Sequence, residues 1–189
     1  MNAFFKRQLT DYVEYHRDPW NCAMHVFGIL ALFTAAVLPL SMWHIYSLGA
    51  FTTMAPIMVL PVLIYWLLLD SALGAAILAI AVILLSAAAL IVGHAAPITV
   101  WSITAILIVI GIGFQVVGHR VFERRQPALV DNPTHLLLGP MFVMAKLFTA
   151  FGFRHDLAVI LAQPQPQPQP PRGSSSYAGD HQVEPLRRS

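Results

Sequence analysis

Histidine has the most chemistry to offer here, with eight copies in 189 residues. Three of them, His16, His25 and His119, gather at the polar edges of long apolar segments. Asn21 and His25 are four residues apart, which places them on one face of one helix. Gln115, His119 and Glu123 repeat the same step of four near the end of another apolar segment. Polar groups inside a membrane are costly and usually face a bundle interior or a water-filled cavity. Two such stripes facing each other would build a pocket of imidazoles, a carboxylate and two amides. Neutral imidazole with carboxylate suits iron, zinc, manganese or copper. Cys22 is the only cysteine, so neither an intrachain disulfide nor a thiolate cluster can form. The spacing points to His16, His25 and His119 as candidate ligands. It also permits isolated interfacial histidines, which is the reading of His44, His94 and His181, while His155 beside Arg154 and Asp156 reads as a solvated turn.

The elements that must position these side chains follow from composition. Hydrophobic residues make up 57% of the chain and charged residues 11%, against about 25% charged in soluble domains. Residues 19–69 and 71–119 contain no Asp, Glu, Lys or Arg. A soluble domain could not cover its surface with such stretches, which excludes a soluble enzyme and a nucleic-acid binder. The pattern predicts an all-α, multi-pass membrane helical bundle. Its four spans are read at Asn21–Trp43, Phe51–Leu69, Ala72–Gly93 and Ile98–His119, each near the roughly 20 residues a membrane helix needs. Turn residues at 47–49, 70–71 and 93–97 separate them. Lys6, Arg7 and Arg17 precede the first span, and Arg120, Arg124 and Arg125 follow the fourth. Four spans with this charge placement put both termini in the cytoplasm.

Residues 1–18 read as an interfacial amphipathic helix, with Phe5, Leu9, Tyr12, Val13 and His16 at helical spacing. Asp18-Pro19 is a strong start for the first span, as cap and first helical residue. The histidine-bearing membrane domain then runs over 19–156. Within it, 134–153 forms a fifth apolar stretch that contains Gly139, Pro140 and Lys146, and it is read as re-entrant or interfacial. Residues 157–189, with their alternating Gln and Pro, are read as a disordered tail. No cleavable signal is read in the first 20 residues.

Two segments carry a family likeness. Tyr15-His16-Arg17-Asp18-Pro19-Trp20-Asn21-Cys22-Ala23-Met24-His25 resembles the first signature of the Mpo1-like family, also called DUF962, and the run Gly113 to Leu129 resembles its second, with Phe114-Gln115, Gly118-His119, Phe122-Glu123 and Pro127-Ala128-Leu129 in register. Gly139-Pro140-Met141-Phe142 resembles the segment that follows. The resemblance implies an integral membrane protein of the bacterial inner membrane, or of the endoplasmic reticulum in a eukaryote. It implies an Fe(2+)-dependent dioxygenase that acts on 2-hydroxy fatty acids with dioxygen and removes one carbon. By position, His16, His25, His119 and His135 are the implied metal residues. Glu123 would complete the ligand set or orient an imidazole, with Gln115 and Asn21 in the orienting role. Arg120 or Arg124 would meet the substrate carboxylate. The competing expectation is a non-catalytic membrane protein that binds lipid or metal, with structural histidines.

Overall fold

In the computed structural model, the described residues are 1–47, 50–124 and 135–162. Helix α1 spans Ala3–Val13; the Asn2 side chain caps it by accepting the Phe5 N–H at 2.7 Å. Its buried residues, Phe5, Leu9, Tyr12 and Val13, fall on one helical face. Helix α2 spans Pro19–Met42, with Asp18 accepting the N–H groups of Trp20 and Asn21 and Pro19 in the first turn, as the sequence predicts. After it come α3 (Met54–Leu69), α4 (Ser71–His94) and α5 (Pro97–Val117), which continues into a π-helical turn at Gly118–Glu123. Helices α6 (His135–Ala150) and α7 (His155–Leu161) complete the bundle.

Three of these helices are long and apolar enough to cross a membrane: Pro19–Met42, Ser71–His94 and Pro97–Glu123. The chain is therefore an all-α membrane-type bundle. Its outward face carries many apolar side chains, with Leu68, Leu90, Ile98 and Val109 strongly exposed.

The second expected span departs from the sequence reading. Its first residues, 51–53, belong instead to a strand, Ala50–Thr53 (β2), which pairs antiparallel with His44–Ser47 (β1) before it, His44 opposite Thr53. Helix α3 keeps 16 residues, about 24 Å of length, which is short of the roughly 30 Å hydrocarbon thickness. Tyr46, Thr52 and Thr53 suit a pleated strand better than a helix, and Thr53 then stands as the residue preceding α3. The fifth stretch is a bent pair: α6 and α7 meet at 116° across residues 151–154. The structured region also runs past residue 156, where the tail was expected to begin, because Leu157 and Ile160 of α7 are buried.

Helices α2 and α5 pack along their length. Gly28 and Gly111 let them approach: a Cβ built on either would lie 3.1–3.2 Å from the other's carbonyl oxygen. Small residues are the usual means of close helix contact in lipid.

One end of the bundle is tied by Asp70, the cap of α4. Its buried carboxylate accepts the Leu73 N–H and a two-pronged grip from Arg154 (2.8 and 2.9 Å). Asn2 Nδ2 donates to the Leu68 carbonyl beside it. The N-terminal helix, the α3–α4 turn and the α6–α7 turn are thus fastened at one end. Burial alone would raise the Asp70 carboxyl, but the hydrogen bonds from Arg154 and Leu73 outweigh it and hold it below the usual carboxylate range.

A depressed folded-state value means that this contribution is present above about pH 4 and is lost as pH falls through the folded value. Asp70→Asn should destabilise the protein by about 3 kcal/mol, the scale of a buried pair broken on one side. Denaturation of the purified protein at neutral pH should show that loss. The variant should lack the part of the wild type's acid sensitivity that Asp70 supplies.

Candidate metal centre

Three imidazoles from three separate elements converge beneath one end of the bundle. His16 lies in the turn between α1 and α2, His25 in the second turn of α2, and His119 in the π-helical turn after α5. All three are buried, and one ring nitrogen of each lies within 4.8 Å of the others. The ring centroids are 4.3 Å apart for His16 and His25, and 4.9 Å for each of the two pairs that include His119.

The hydrogen bonds define what these rings can do. His16 Nδ1 lies 3.0 Å from the Tyr12 carbonyl. That oxygen can only accept, so Nδ1 carries the proton and Nε2 is left with its lone pair. His16 Nε2 in turn lies 2.9 Å from His25 Nε2. This contact is a hydrogen bond if His25 Nε2 is protonated, or the edge of a donor set if both lone pairs face one cation. Nδ1 of His25 and Nδ1 of His119 are buried and have no hydrogen-bond partner among the described residues. Buried polar atoms are rarely left so. Clustered neutral imidazoles with unspent nitrogens are the donor set that divalent transition metals favour, so the residues present fit a metal.

The His16 ring and the turns that carry His16 and His119 have rigid supports. The Tyr12 ring stacks on His16 at 4.0 Å and 5° from parallel, and the Phe142 ring packs on both. Glu123 Oε1 accepts three donors: Arg17 N–H at 2.6 Å, Asp18 N–H at 2.8 Å and Asn21 Nδ2 at 3.1 Å. One carboxylate oxygen therefore fastens the turn bearing His16 to the turn bearing His119. Gly118 makes room for this, since a Cβ there would collide with Asn21 Oδ1.

Beyond the imidazoles lies a cavity of about 600 Å³. His16, His25, His119 and Gln115 supply polar groups to it, and Leu32, Val37, Leu40, Val59 and Val62 are among its apolar walls. A ligand with a polar head and an apolar chain matches this division.

The structure brings together His16, His25 and His119 as the sequence expects. Gln115 lines the cavity, with its amide against Gly28. Asn21 is buried beside Glu123. Glu123 stands outside the histidine group, its bonded oxygen turned to the α1–α2 turn, in a positioning place. Arg120 and Arg124 are exposed and line neither cavity. His135 opens α6, but its side chain lies outside the described residues, as do Arg125 to Thr134.

Tyr12 and Phe142 were not singled out in the sequence for this role. In the sequence Tyr12 stands only as part of an apolar helix face. Its place four residues before His16 was the available signal.

A family model described as 2-hydroxy-palmitic acid dioxygenase Mpo1-like matches residues 2–151. The chain belongs to the Mpo1-like family. It is 34% identical over 158 residues to the 2-hydroxy-palmitic acid dioxygenase MPO1 of Saccharomyces cerevisiae, covering 82% of this chain and 86% of that protein. No solved structure matches it. All three clustered histidines, Tyr12, Glu123 and Phe142 fall inside the Mpo1-like match.

Glu123→Ala should free the α1–α2 turn without removing any imidazole. Hydrogen exchange at the Arg17 and Asp18 amides should accelerate. Cobalt(II) affinity, read by titration, should fall by about 10- to 100-fold, the usual effect of losing a residue that orients a ligand. Unchanged exchange at both amides would contradict the clamp.

Proposed function

We propose that this protein is a membrane dioxygenase that holds Fe(II) at His16, His25 and His119 and shortens 2-hydroxy fatty acids by one carbon. The observation that carries the reading is the placement of three buried imidazoles, two with unspent ring nitrogens, at the head of an apolar cavity. Membership of the Mpo1-like family and likeness to a protein named for 2-hydroxy-palmitic acid support the substrate class.

Bound there, Fe(II) supplies a redox centre with open positions for dioxygen and for the oxygens of a chelating acid. The chain's own residues do the rest. The Tyr12 carbonyl fixes His16 in the tautomer whose Nε2 can ligate. Asn21 and Glu123 act as positioning residues for the His16 turn. The Gln115 amide, at the cavity wall, is placed to hydrogen-bond the polar head of the acid. Leu32, Val37 and Leu40 receive the acyl chain and exclude water from the head. Arg120 and Arg124 lie outside the cavity and suit lipid headgroups. The positive-inside rule places the histidine end toward the cytoplasm, in a bacterial inner membrane or in the endoplasmic reticulum of a eukaryotic cell.

Protein loaded anaerobically with Fe(II) should take up dioxygen when given 2-hydroxypalmitate and release pentadecanoate. Palmitate should elicit no uptake. His119→Ala should lose both bound iron and oxygen uptake. Full iron content in the His119→Ala protein would overturn the assignment, and iron binding without uptake would leave a carrier in place of an enzyme.

A further inference from the structure

The histidine cavity has one walled flank and one open flank. On the walled flank, Ile29, Phe33, Trp66 and Pro140 separate it from a second cavity of about 500 Å³, which none of the three histidines lines. On the open flank, four residues line the cavity and are also 44–64% exposed: Met58 of α3, Ile112 and Val116 of α5, and Leu136 of α6. A side chain that both lines a cavity and reaches the outer surface marks its mouth. Ala36 of α2, which also lines the cavity, is exposed as well. Packing gives the reason. Helices α3 and α5 both pack on α2 but make little contact with each other. The face of α2 between them is left uncovered.

The rim decides what can pass. Every exposed residue that lines the cavity is apolar. Ile112 and Val116 lie within Pro97–Glu123, a helix long and apolar enough to cross a membrane. Such a helix turns its outer flank to hydrocarbon, so an apolar opening on that flank leads to lipid. Ala36 lies eleven residues past His25 on α2, which is about 16 Å by the helical rise. That is roughly half the hydrocarbon thickness. The opening therefore runs from the histidine end to about the middle of the bilayer.

We infer that the ligand of the histidine cavity enters and leaves sideways, through a slot between α3 and α5 rimmed by Met58, Ile112 and Val116, and that it is a single-chain amphiphile dissolved in the membrane. On this path a long chain stays in apolar surroundings throughout. A path through water would expose that chain before binding, against the hydrophobic effect. The unspent nitrogens of His25 and His119 hold the polar end of the path. Naming the ligand a 2-hydroxy fatty acid rests on the proposed function; the slot itself does not.

The test uses metal-free full-length protein in phosphatidylcholine vesicles, so turnover plays no part. Trp20→Phe, Trp43→Phe and Trp101→Phe, all at exposed positions, leave Trp66 in the cavity wall as the one indole. The probe is 2-hydroxystearate with a nitroxide on its chain, and binding is read by stopped flow as saturable quenching of Trp66. Ile112→Phe with Val116→Phe should lower the association and dissociation rates together by about tenfold, the scale on which added carbon atoms crowd a path. The equilibrium affinity should change little. Met58→Ala, on the opposite rim, should raise both rates. Val109→Phe, exposed on the same helix but lining neither cavity, should change neither. No saturable quenching in the wild type, or unchanged rates in the double variant, would overturn the slot. So would equal slowing in Val109→Phe, or a loss of affinity through faster dissociation alone, which is the effect of a damaged wall. Probe binding through the slot without oxygen uptake by the iron-loaded protein would refute the proposed function and leave this inference standing.

Discussion

A single oxygen of Glu123 accepts hydrogen bonds from two backbone N–H groups and one side-chain amide, all from residues more than a hundred positions away in the chain. The three imidazoles depend on that joint. His16 is outside any helix, in the turn between α1 and α2, so only the end of α1 holds it from its own side, through the Tyr12 and Val13 carbonyls. Glu123 holds the next two residues of that turn, and Asn21 one helical turn from His25. Burying a carboxylate is costly unless donors surround it. The N–H groups of Arg17 and of the cap residue Asp18 are such donors, so the carboxylate and the approach to α2 satisfy one another.

The π-helical turn at Gly118–Glu123 serves the same joint. A strict α-helix would carry Gln115, His119 and Glu123 along one stripe, with every side chain in similar surroundings. The wider turn changes their relative rotation. His119 enters the histidine group, Glu123 reaches over the α1–α2 turn, and Gln115 faces the cavity. Such turns often occur at functional sites, where one inserted residue re-aims a side chain. The absence of a Cβ at Gly118 lets Asn21 lie against this turn.

The cavities follow from the way short helix α3 and the bent pair α6–α7 complete the bundle. Trp66 of α3 is part of the wall between the two cavities, and its indole N–H donates 2.7 Å to the Leu137 carbonyl near the start of α6. A buried indole needs such a partner. Further along α6, Phe142 packs on His16 and Lys146 meets Cys22. One helix therefore contributes both to the support of the histidines and to the wall of the neighbouring cavity. Arg154, just beyond its end, ties the assembly to Asp70.

The sequence by itself determined the membrane class, the start of α2, and the three histidines worth watching. Charge-free stretches, Asp18-Pro19 and a repeated step of four are local signals, and local chemistry suffices to interpret them. It did not reveal the pairing of His44–Ser47 with Ala50–Thr53, because a strand depends on the partner it meets as well as on its own residues. It left Glu123 open between ligand and support, because spacing along one helix does not say which donors another segment brings. In the sequence Tyr12 is one more apolar-face residue, and only its stacking on His16 shows its role. Only the tertiary structure decided these, since each depends on how far one helix is rotated and bent against another, a quantity set by side-chain packing across the whole bundle.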